Sequence, residues 1–588
     1  MRVDRKREHW QLYGLAAREA GHALRGGAAR ALAALRPGSG RPKRLLLAPQ
    51  DLRTADPTVA GDIYAGHFVF SGRALSTGGR SPFSFDAPSR AWGEALYGFG
   101  WLRHLRAAGT PLAQANARSL VDEFISRNGR APKLSGEIPV LSRRLISWIS
   151  QSPLILEGAD HTFYQRFLRA IGRAVRDLRH AAGTHPLPQH RLAAAIGLCY
   201  AGLCCEGLDS DLRHGTRMLS RELDRQILPD GGHISRNPQS LVDLLFDLLP
   251  LRQIFASRQL DIPEALLRAV DRMLPMLRLF RHGDGTLTHM NGMGTTVAGH
   301  VATLLTYDDM RSRPIHQAPH SGYQRLEAGR TLVIADVGPA PPVSLSACAG
   351  AGCLSFEFSS GAQRIIINCG LPRTAGKDVV RIARSTPAHS TASVQRASSC
   401  RFLDRNGPWL DRLLAGWLID RLGPVVLSGP HAIAAERNDR DQILSLDASH
   451  DGYRTRYGLR HERRWQLSGD GRRLEGEDGF VPEAPLAEDL EAEIRFHLAP
   501  GVRATLAERS SVITLILPNR EAWQFEAALE PQIEDSVFFS ATEGPRRTRQ
   551  IVLTLRPAVT PSVRWRFERL DRAPEAIAPD SARIPELL

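Results

Sequence analysis

The hydrophobic periodicity of the chain changes once, near residue 316, from a helical spacing to a strand spacing. Before that point apolar residues recur every three or four positions; Trp92, Leu96, Phe99, Leu102 and Leu105 lie on one face of a predicted core-facing helix. After it, short runs such as TLVIADVG and SVITLILPN are rich in β-branched residues and end in Gly, Pro, Asn or Asp. Helices followed by strands favour separate domains over an interleaved α/β sheet.

The length of 588 residues is too great for one ordinary hydrophobic core, so the chain is expected to form several domains. The sequence predicts a basic N-terminal segment and linker over 1–60, an all-helical domain over 61–315 and an antiparallel β-sandwich over 316–588. The helical runs are separated by short turns, which is typical of stacked helix hairpins.

The net charge of +14 suits an acidic partner, but its origin stays open. All but four of the 76 basic residues are arginine, a skew that codon bias also explains. A functional basic groove is the alternative. No recognised nucleic-acid-binding module occurs among the motifs, so nucleic acid is not an expected partner.

Cysteine usage and the N-terminus bear on the compartment. Seven cysteines without the spacing of a zinc site are expected to be buried free thiols, which fits a reducing environment. The basic start lacks the apolar core of a secretory signal, and no run of about 18 apolar residues predicts a membrane-spanning helix. These features favour the cytoplasm. The first 35 residues predict an amphipathic helix, either packed on the protein or lying on a membrane or partner.

Two polar segments follow predicted helices in the first half of the chain. DGGHISRNP ends in His233, Arg236 and Asn237, which suit binding of an anion or polarisation of a carboxylate; a simple turn with helix caps is the alternative. HGDG, followed by His289 and Asn291, again groups polar residues after a helix. The alternative for this segment is an ordinary loop without a role in binding or catalysis.

Two further segments lie in the predicted sandwich. RSTPAHST contains His389 downstream of Arg384, and a histidine among small hydroxyl residues suits general acid/base chemistry on an anionic sugar. SHDGY contains His450, which suits a metal site shared with His389 and Asp404. The alternatives are a surface histidine for the first segment and a hairpin turn at Asp451 for the second.

Taken in order, these segments, together with GCLSFEFSSG and IINCG, resemble the heparinase II/III family of polysaccharide lyases. The resemblance covers residues 85–580. It implies an incomplete α/α toroid packed on an antiparallel β-sandwich, with a cleft for an acidic polysaccharide between them. It implies no required cofactor, although some members carry a metal in the sandwich, so a structural zinc or calcium is a further expectation.

The resemblance also implies a reaction, β-elimination of a uronate-containing glycan. The proton next to a carboxylate is acidic enough only when preorganised donors meet the developing charge. Carried over to this chain, Asn237 or His233 neutralises the carboxylate and His389 is the acid/base. The family's tyrosine is not found after Pro238, so Tyr307, the next tyrosine downstream in the helical domain, takes that role. The implied substrate contacts are Arg236, Arg384, His289 and Asn291.

Two functions therefore remain open. The first is a lyase that acts on an acidic polysaccharide. The second is a non-catalytic carbohydrate-binding or polysaccharide-biosynthesis-associated protein on the same scaffold, which the unplaced tyrosine favours. The family resemblance points to the periplasm or cell envelope, against the cytoplasm suggested by the N-terminus. Oligomeric state is not predicted.

Overall fold

The computed structural model describes residues 10–25, 40–127, 132–182, 185–308, 313–372, 375–406, 408–440, 442–507, 511–540 and 544–571. The basic residues at the start of the chain and the first part of the predicted linker, 36–39, lie outside these ranges. No helix in the described ranges is long and apolar enough to cross a membrane.

Helices dominate the described residues up to Thr306. Consecutive helices pack on each other as hairpins, as Pro188–Cys204 does on Asp209–Gln226 and Pro238–Ser257 does on Glu264–Leu279. The helices, in chain order, are α1 (10–25), α2 (Thr58–Tyr64), α3 (Arg90–Gly98), α4 (Leu102–Ala108), α5 (Pro111–Ser126), α6 (Ile138–Ser150), α7 (Ser152–Leu156), α8 (His161–Ala182), α9 (Pro188–Cys204), α10 (Asp209–Gln226), α11 (Pro238–Ser257), α12 (Glu264–Leu279), α13 (Ala298–Thr306), α14 (Lys377–Arg384), α15 (Trp409–Leu422) and α16 (Arg454–Tyr457).

The helix predicted around Trp92 is two helices. Trp92, Leu96, Phe99, Leu102 and Leu105 are all fully buried, so the predicted core face is confirmed. However, α3 ends where Phe99 adopts a left-handed conformation with φ of 55°, and α4 starts at Leu102. The apolar spacing survives the break because the chain turns without leaving the core.

Antiparallel sheets dominate the regular structure of the described residues from Gln317 onward. The strands are β1 (His67–Phe70), β2 (Arg73–Ser76), β3 (Gln317–Ala318), β4 (Tyr323–Ala328), β5 (Thr331–Asp336), β6 (Phe356–Ser360), β7 (Gln363–Ile367), β8 (Ala392–Val394), β9 (Arg401–Phe402), β10 (Val426–Ser428), β11 (Ile433–Arg440), β12 (Ile443–His450), β13 (Leu459–Ser468), β14 (Arg473–Pro482), β15 (Ala492–Leu498), β16 (Arg503–Leu506), β17 (Val512–Ile516), β18 (Ala522–Ala527), β19 (Gln532–Phe538), β20 (Arg546–Leu555) and β21 (Ser562–Arg569).

Two large sheets face each other as a sandwich. One has the order β11-β12-β13-β14-β21-β18-β17-β16, and the other β19-β20-β15-β7-β6-β5-β4-β3, with β8 paired to β15. Aromatic residues from both sheets meet in the core: Phe356 stacks on Trp565 with centroids 5.7 Å apart, and Phe358 meets Trp523 at 5.0 Å. Gly476 lets Trp565 lie flat on the sheet, since a Cβ there would fall 2.1 Å from the indole.

The helical domain packs on the outer face of the second sheet, the one with β19 and β3 at its two edges. Strand β5 is buried at all six positions: Val333 and Ala335 belong to the sandwich core, whereas Leu332 and Ile334 join the helical core. This explains why its sequence is continuously apolar, because both faces of the strand are covered. The sheet therefore positions polar side chains at the contact between the domains.

Helix α1 packs against the sandwich domain. Its Leu12, Leu15 and Ala16 form a small core with Leu418 and Leu422 of α15. Tyr13 and Glu19 add polar contacts, to Asp411 and Arg421 respectively. Of the two alternatives for the amphipathic N-terminus, this placement matches packing on the protein.

All seven cysteines are free thiols. Six are buried as expected, but Cys348 is exposed, which corrects the prediction for that residue.

Candidate functional site

Arg236 joins the two domains. It follows the loop before α11, has a left-handed backbone with φ of 60°, and is 6% exposed. Its guanidinium pairs with Asp336 at the end of β5 and donates to the carbonyl oxygens of Ser321 and Pro339, each at 2.7 Å. Burial lowers the pKa of Arg236, but nearby Asp336 raises it by more, so the guanidinium stays charged. Arg236, the predicted substrate contact, is thus bound to groups within the protein.

Asn291 and Tyr323 complete this network. The Asn291 amide donates to Asp336 Oδ2 at 2.7 Å and to the Tyr323 hydroxyl at 2.8 Å. That hydroxyl in turn donates to the Arg236 carbonyl oxygen at 2.5 Å. Tyr323 is fully buried, and burial raises the pKa of its hydroxyl. A tyrosine hydroxyl therefore lies beside the predicted residues, but it is closed off and held protonated.

Asn237 caps α11. Its Oδ1 accepts from the backbone N–H of Gln239 at 2.9 Å, as an N-cap side chain does. The side chain is half-buried. Its Nδ2 faces Gly292, at 3.1 Å from the position of a Cβ there, and the same Cβ would lie 2.6 Å from the Cys348 carbonyl oxygen. Asn237 thus lies next to the 348–352 segment.

His233 is a buried, neutral residue. Its Nδ1 accepts the backbone N–H of Ser235 at 3.1 Å, which leaves the proton on Nε2, 3.3 Å from Gln226 Oε1. Burial lowers the pKa of His233 to about 4. It stabilises the loop from within, and it is not brought to a cleft surface.

A second buried cluster surrounds Glu357 of β6. Its carboxylate pairs with Arg364 at 2.7 Å and lies 3.2 Å from His282 and 3.3 Å from His289. It also accepts the backbone N–H of Asn368 at 3.1 Å. Although burial favours the neutral acid, Arg364 and His289 hold the pKa of Glu357 well below its usual range. The predicted substrate contact His289 is therefore already paired to a carboxylate.

His389 lies in a notch made by glycines. Its Nδ1 donates to the Ser385 carbonyl oxygen at 2.8 Å, and the side chain is 6% exposed. A Cβ on Gly350 or Gly352 would fall 2.6 or 2.5 Å from the imidazole, so only glycine fits against the ring. Burial lowers the pKa of His389. The 348–352 segment thus contacts His389 at one end and the Asn237 neighbourhood at the other.

Arg384 has a structural position. It is 3% exposed and donates to the carbonyl oxygens of Ala349, Ser346 and Pro424 at 2.6–2.9 Å. Burial lowers the pKa of Arg384 to about 10. It holds the 346–349 backbone rather than facing a substrate.

The predicted metal residues do not converge. Asp404 is exposed, and its carboxylate accepts from Asn406. His450 is buried; its Nδ1 accepts the N–H of Gly452, its Nε2 faces His461 Nδ1 at 3.3 Å, and His461 Nε2 faces Asp478 at 2.7 Å. Within the described residues no three His, Cys, Asp or Glu side chains form a group that could hold a metal. The predicted set His389, Asp404 and His450 is therefore corrected: His450 belongs to a buried hydrogen-bond chain.

Tyr307 lies just after α13, half-buried against the helical core. Among the described contacts, no hydrogen bond links it to Asn237 or His389. Its assignment as a base stays a prediction without geometric support.

The structure gathers Arg236 and Asn291 in one network and places Asn237 and His389 at the two ends of the 348–352 segment. Sequence reasoning missed Tyr323, Asp336, Glu357 and Arg364. A signal was present for the two acids: each is a lone carboxylate within an apolar strand, in TLVIAD and SFEFSS. A buried charge of this kind needs a partner.

Comparison with known proteins bears on the family and the fold. Residues 310–566 match the model of the heparinase II/III-like C-terminal domain family. FtsZ-localized protein C of Caulobacter vibrioides (strain NA1000 / CB15N) is 32% identical over 548 residues, which cover 90% of this chain and 91% of that protein. The chain belongs to the heparinase II/III family.

Solved structures of the family extend the match to both domains. The crystal structure of heparinase III superposes with a TM-score of 0.70 at 13% identity, covering 94% of this chain and 91% of that one. A heparan sulfate lyase HepC mutant from Pedobacter heparinus gives a TM-score of 0.60 at 12% identity, over 94% and 89%. The predicted toroid followed by a sandwich is thus confirmed. These heparinase II/III structures show the fold of the chain.

Proposed function

We propose that this protein is a non-catalytic heparinase II/III family member that localises with FtsZ and uses the lyase scaffold for binding. The observation that carries the proposal is the enclosure of the predicted chemistry. The Tyr323 hydroxyl is buried and bonded to the Arg236 carbonyl, and His389 is covered by Gly350 and Gly352.

β-Elimination needs a base within hydrogen-bond reach of the substrate proton. Tyr323 is fully buried and its raised pKa disfavours the phenolate. Removing it from its network would also break the contacts that hold Arg236 and Asn291 between the domains. The arrangement therefore suits a rigid scaffold better than an open reaction site.

The near-full-length relative supplies the second support. As its name says, FtsZ-localized protein C is found with FtsZ, and the similarity extends over 90% of this chain, including both domains. The simplest interpretation of that similarity is that both proteins act in an FtsZ-containing assembly. An acidic glycan remains a candidate ligand of the scaffold, since the family's solved structures include lyases of such polymers.

A direct test combines imaging with an activity assay. A fluorescent fusion of the full chain is expected to coincide with FtsZ in the native cell, and a fusion that stays away from FtsZ contradicts the proposal. The purified protein, mixed with heparan sulfate, alginate or native acidic exopolysaccharide, is expected to give no rise in ultraviolet absorbance from unsaturated uronate. Retention on a glycan column without product would add carbohydrate binding to the role.

Lyase activity is the second candidate, favoured by one observation. Asn237 uses only its Oδ1 for the helix cap, so its Nδ2 keeps donors for a carboxylate. If unsaturated product forms, Asn237→Asp and His389→Ala should abolish it, because the charge on the carboxylate and the transferred proton would be left without their partners. If the wild type forms unsaturated product and both variants lose it, the protein is a lyase and not a non-catalytic scaffold.

A further inference from the structure

A large groove opens on the sandwich domain. It has a volume of about 1610 Å³, larger than the roughly 300–1,000 Å³ of a small-molecule pocket. Helix α14, the segment 398–405, the end of β10 and the turn 451–456 form its walls. Apart from Gln11 of α1, all its lining residues follow residue 374, so the α2–α13 region contributes none.

The groove is basic. Its lining holds seven Lys or Arg residues against three Asp residues. The basic residues are Lys377, Arg381, Arg384, Arg401, Arg405, Arg454 and Arg456, and the acidic ones are Asp378, Asp404 and Asp451. Arg384 is occupied by backbone carbonyls, but most of the others are exposed. The excess positive charge selects an anionic ligand.

Two ion pairs at the groove are exposed and weak. Arg381 lies 3.9 Å from Asp378, with side chains 70% and 93% exposed. Arg405 pairs with Asp420 at 3.2 Å, and both are again mostly exposed. Exposed pairs of this kind contribute little, so the carboxylates of a ligand can replace them at small cost.

The groove also has an apolar component. Val380, Phe402, Leu403 and Pro424 line it, and Ile382 is 54% exposed beside them. Strands β9 and β10 form a two-stranded sheet, and neither has a second neighbour among the described strands. The Val426 N–H of β10 already donates to Ser346 Oγ at 2.8 Å, so β9 is the strand that a ligand can pair with. An extended peptide matches these features, because its backbone can pair with β9 while its side chains alternate between charge and apolar contact.

We propose that this groove binds an acidic linear peptide segment, carrying some apolar side chains, from a partner protein. Nucleic acid fits less well, because bases bind by stacking on several aromatic residues. Phe402 is the one Phe, Tyr or Trp residue of the lining, and Arg384 already lies 4.5 Å from its ring centroid. Neither Asn237 nor His389 lines the groove, so this assignment does not depend on catalysis by those residues.

The test starts from an unbiased selection. The full chain is immobilised and a display library of random linear peptides is selected on it. Enriched peptides are expected to be acidic, and a fluorescein-labelled copy of the leading peptide should bind in an anisotropy titration. Its affinity should fall with added salt, since exposed charges are screened.

Paired variants assign the binding to the groove. Arg381→Glu with Arg456→Glu should weaken the labelled peptide by about tenfold or more, because two attractive contacts become repulsive. Ile382→Ser should weaken it less. The control, Arg547→Glu with Arg564→Glu, changes the net charge equally at two exposed pairs elsewhere and should leave the affinity unchanged.

Several results would overturn the proposal. The proposal fails if the enriched peptides are not acidic, or if they bind the groove variant and the control variant equally well. Alternatively, no peptide is enriched, and heparin or single-stranded DNA instead binds in a manner that depends on Arg381 and Arg456. Far-ultraviolet circular dichroism of both double variants confirms that they fold, which is expected because every substituted side chain is exposed.

Discussion

Replacing Arg236 with alanine tests the central structural inference, that this residue joins the domains. The substitution removes the ion pair to Asp336 and the bonds to the carbonyl oxygens of Ser321, Gly322 and Pro339. It also leaves the Asp336 carboxylate, 2% exposed, with only Asn291 and a backbone N–H as polar partners. Breaking a buried pair from one side costs about 3–5 kcal/mol.

Urea unfolding followed by tryptophan fluorescence measures this loss. Arg268→Ala is the matched control, because Arg268 is likewise an ion-paired arginine but lies at the surface, where it and its two carboxylate partners are 40–82% exposed. Its removal should cost less than about 1 kcal/mol. Arg236→Lys should fall between the two, since it keeps the charge but loses the planar fork.

The outcome separates the two roles considered for Arg236. A free energy of unfolding within about 1 kcal/mol of the wild type, matching Arg268→Ala, would refute the structural role. Reduced glycan affinity without a change in stability would restore the substrate contact predicted from the sequence.

The remaining predictions concern other buried groups. Because burial lowers the pKa of His233 to about 4 from about 6.5 when unfolded, its contribution to stability is intact above pH 6.5 and is lost between about pH 6.5 and 4. His233→Gln should therefore reduce the slope of unfolding free energy against pH in that window by about 1.4 kcal/mol per pH unit; an unchanged slope contradicts this. Asp478 accepts from His461, Arg463 and Trp565, so Asp478→Asn should cost about 3–5 kcal/mol at pH 7 in urea unfolding; a loss below about 1 kcal/mol would place the carboxylate in contact with water. Leu15→Ala should weaken the α1 contact by about 2–5 kcal/mol and speed proteolysis within 10–25; equal cleavage rates would show that the helix is not docked.

The order of elements was predictable because it depends on local periodicity. Trp92, Leu96 and Phe99 are buried as their spacing indicates, since a core-facing pattern survives a change of helix direction. The break at Phe99 was not predictable, because a left-handed bulky residue is unfavourable on its own and is held by the surrounding tertiary structure.

The roles of the polar motifs were harder to predict than their existence. The sequence marked Arg236, Asn291 and His389 as unusual, but the side chains that decide their roles lie far away in the chain. Arg236 is 100 residues from Asp336, and His389 depends on Gly350 and Gly352. A motif reveals that a residue is constrained, whereas its partners reveal whether that constraint serves a substrate or the fold.

The same polar residues can serve either a substrate or the fold, because both roles need fixed charges at the contact between the domains. In a lyase, donors must be preorganised toward an empty space that the substrate fills. Here Asp336 occupies Arg236 and Asn291, Glu357 occupies His289, and glycine backbone covers His389. Internal carboxylates thus take up the donors that the family resemblance assigned to a substrate. A chain that satisfies these donors internally gains a rigid link between toroid and sandwich, and its ligands are then expected at another surface, such as the basic groove beside α14.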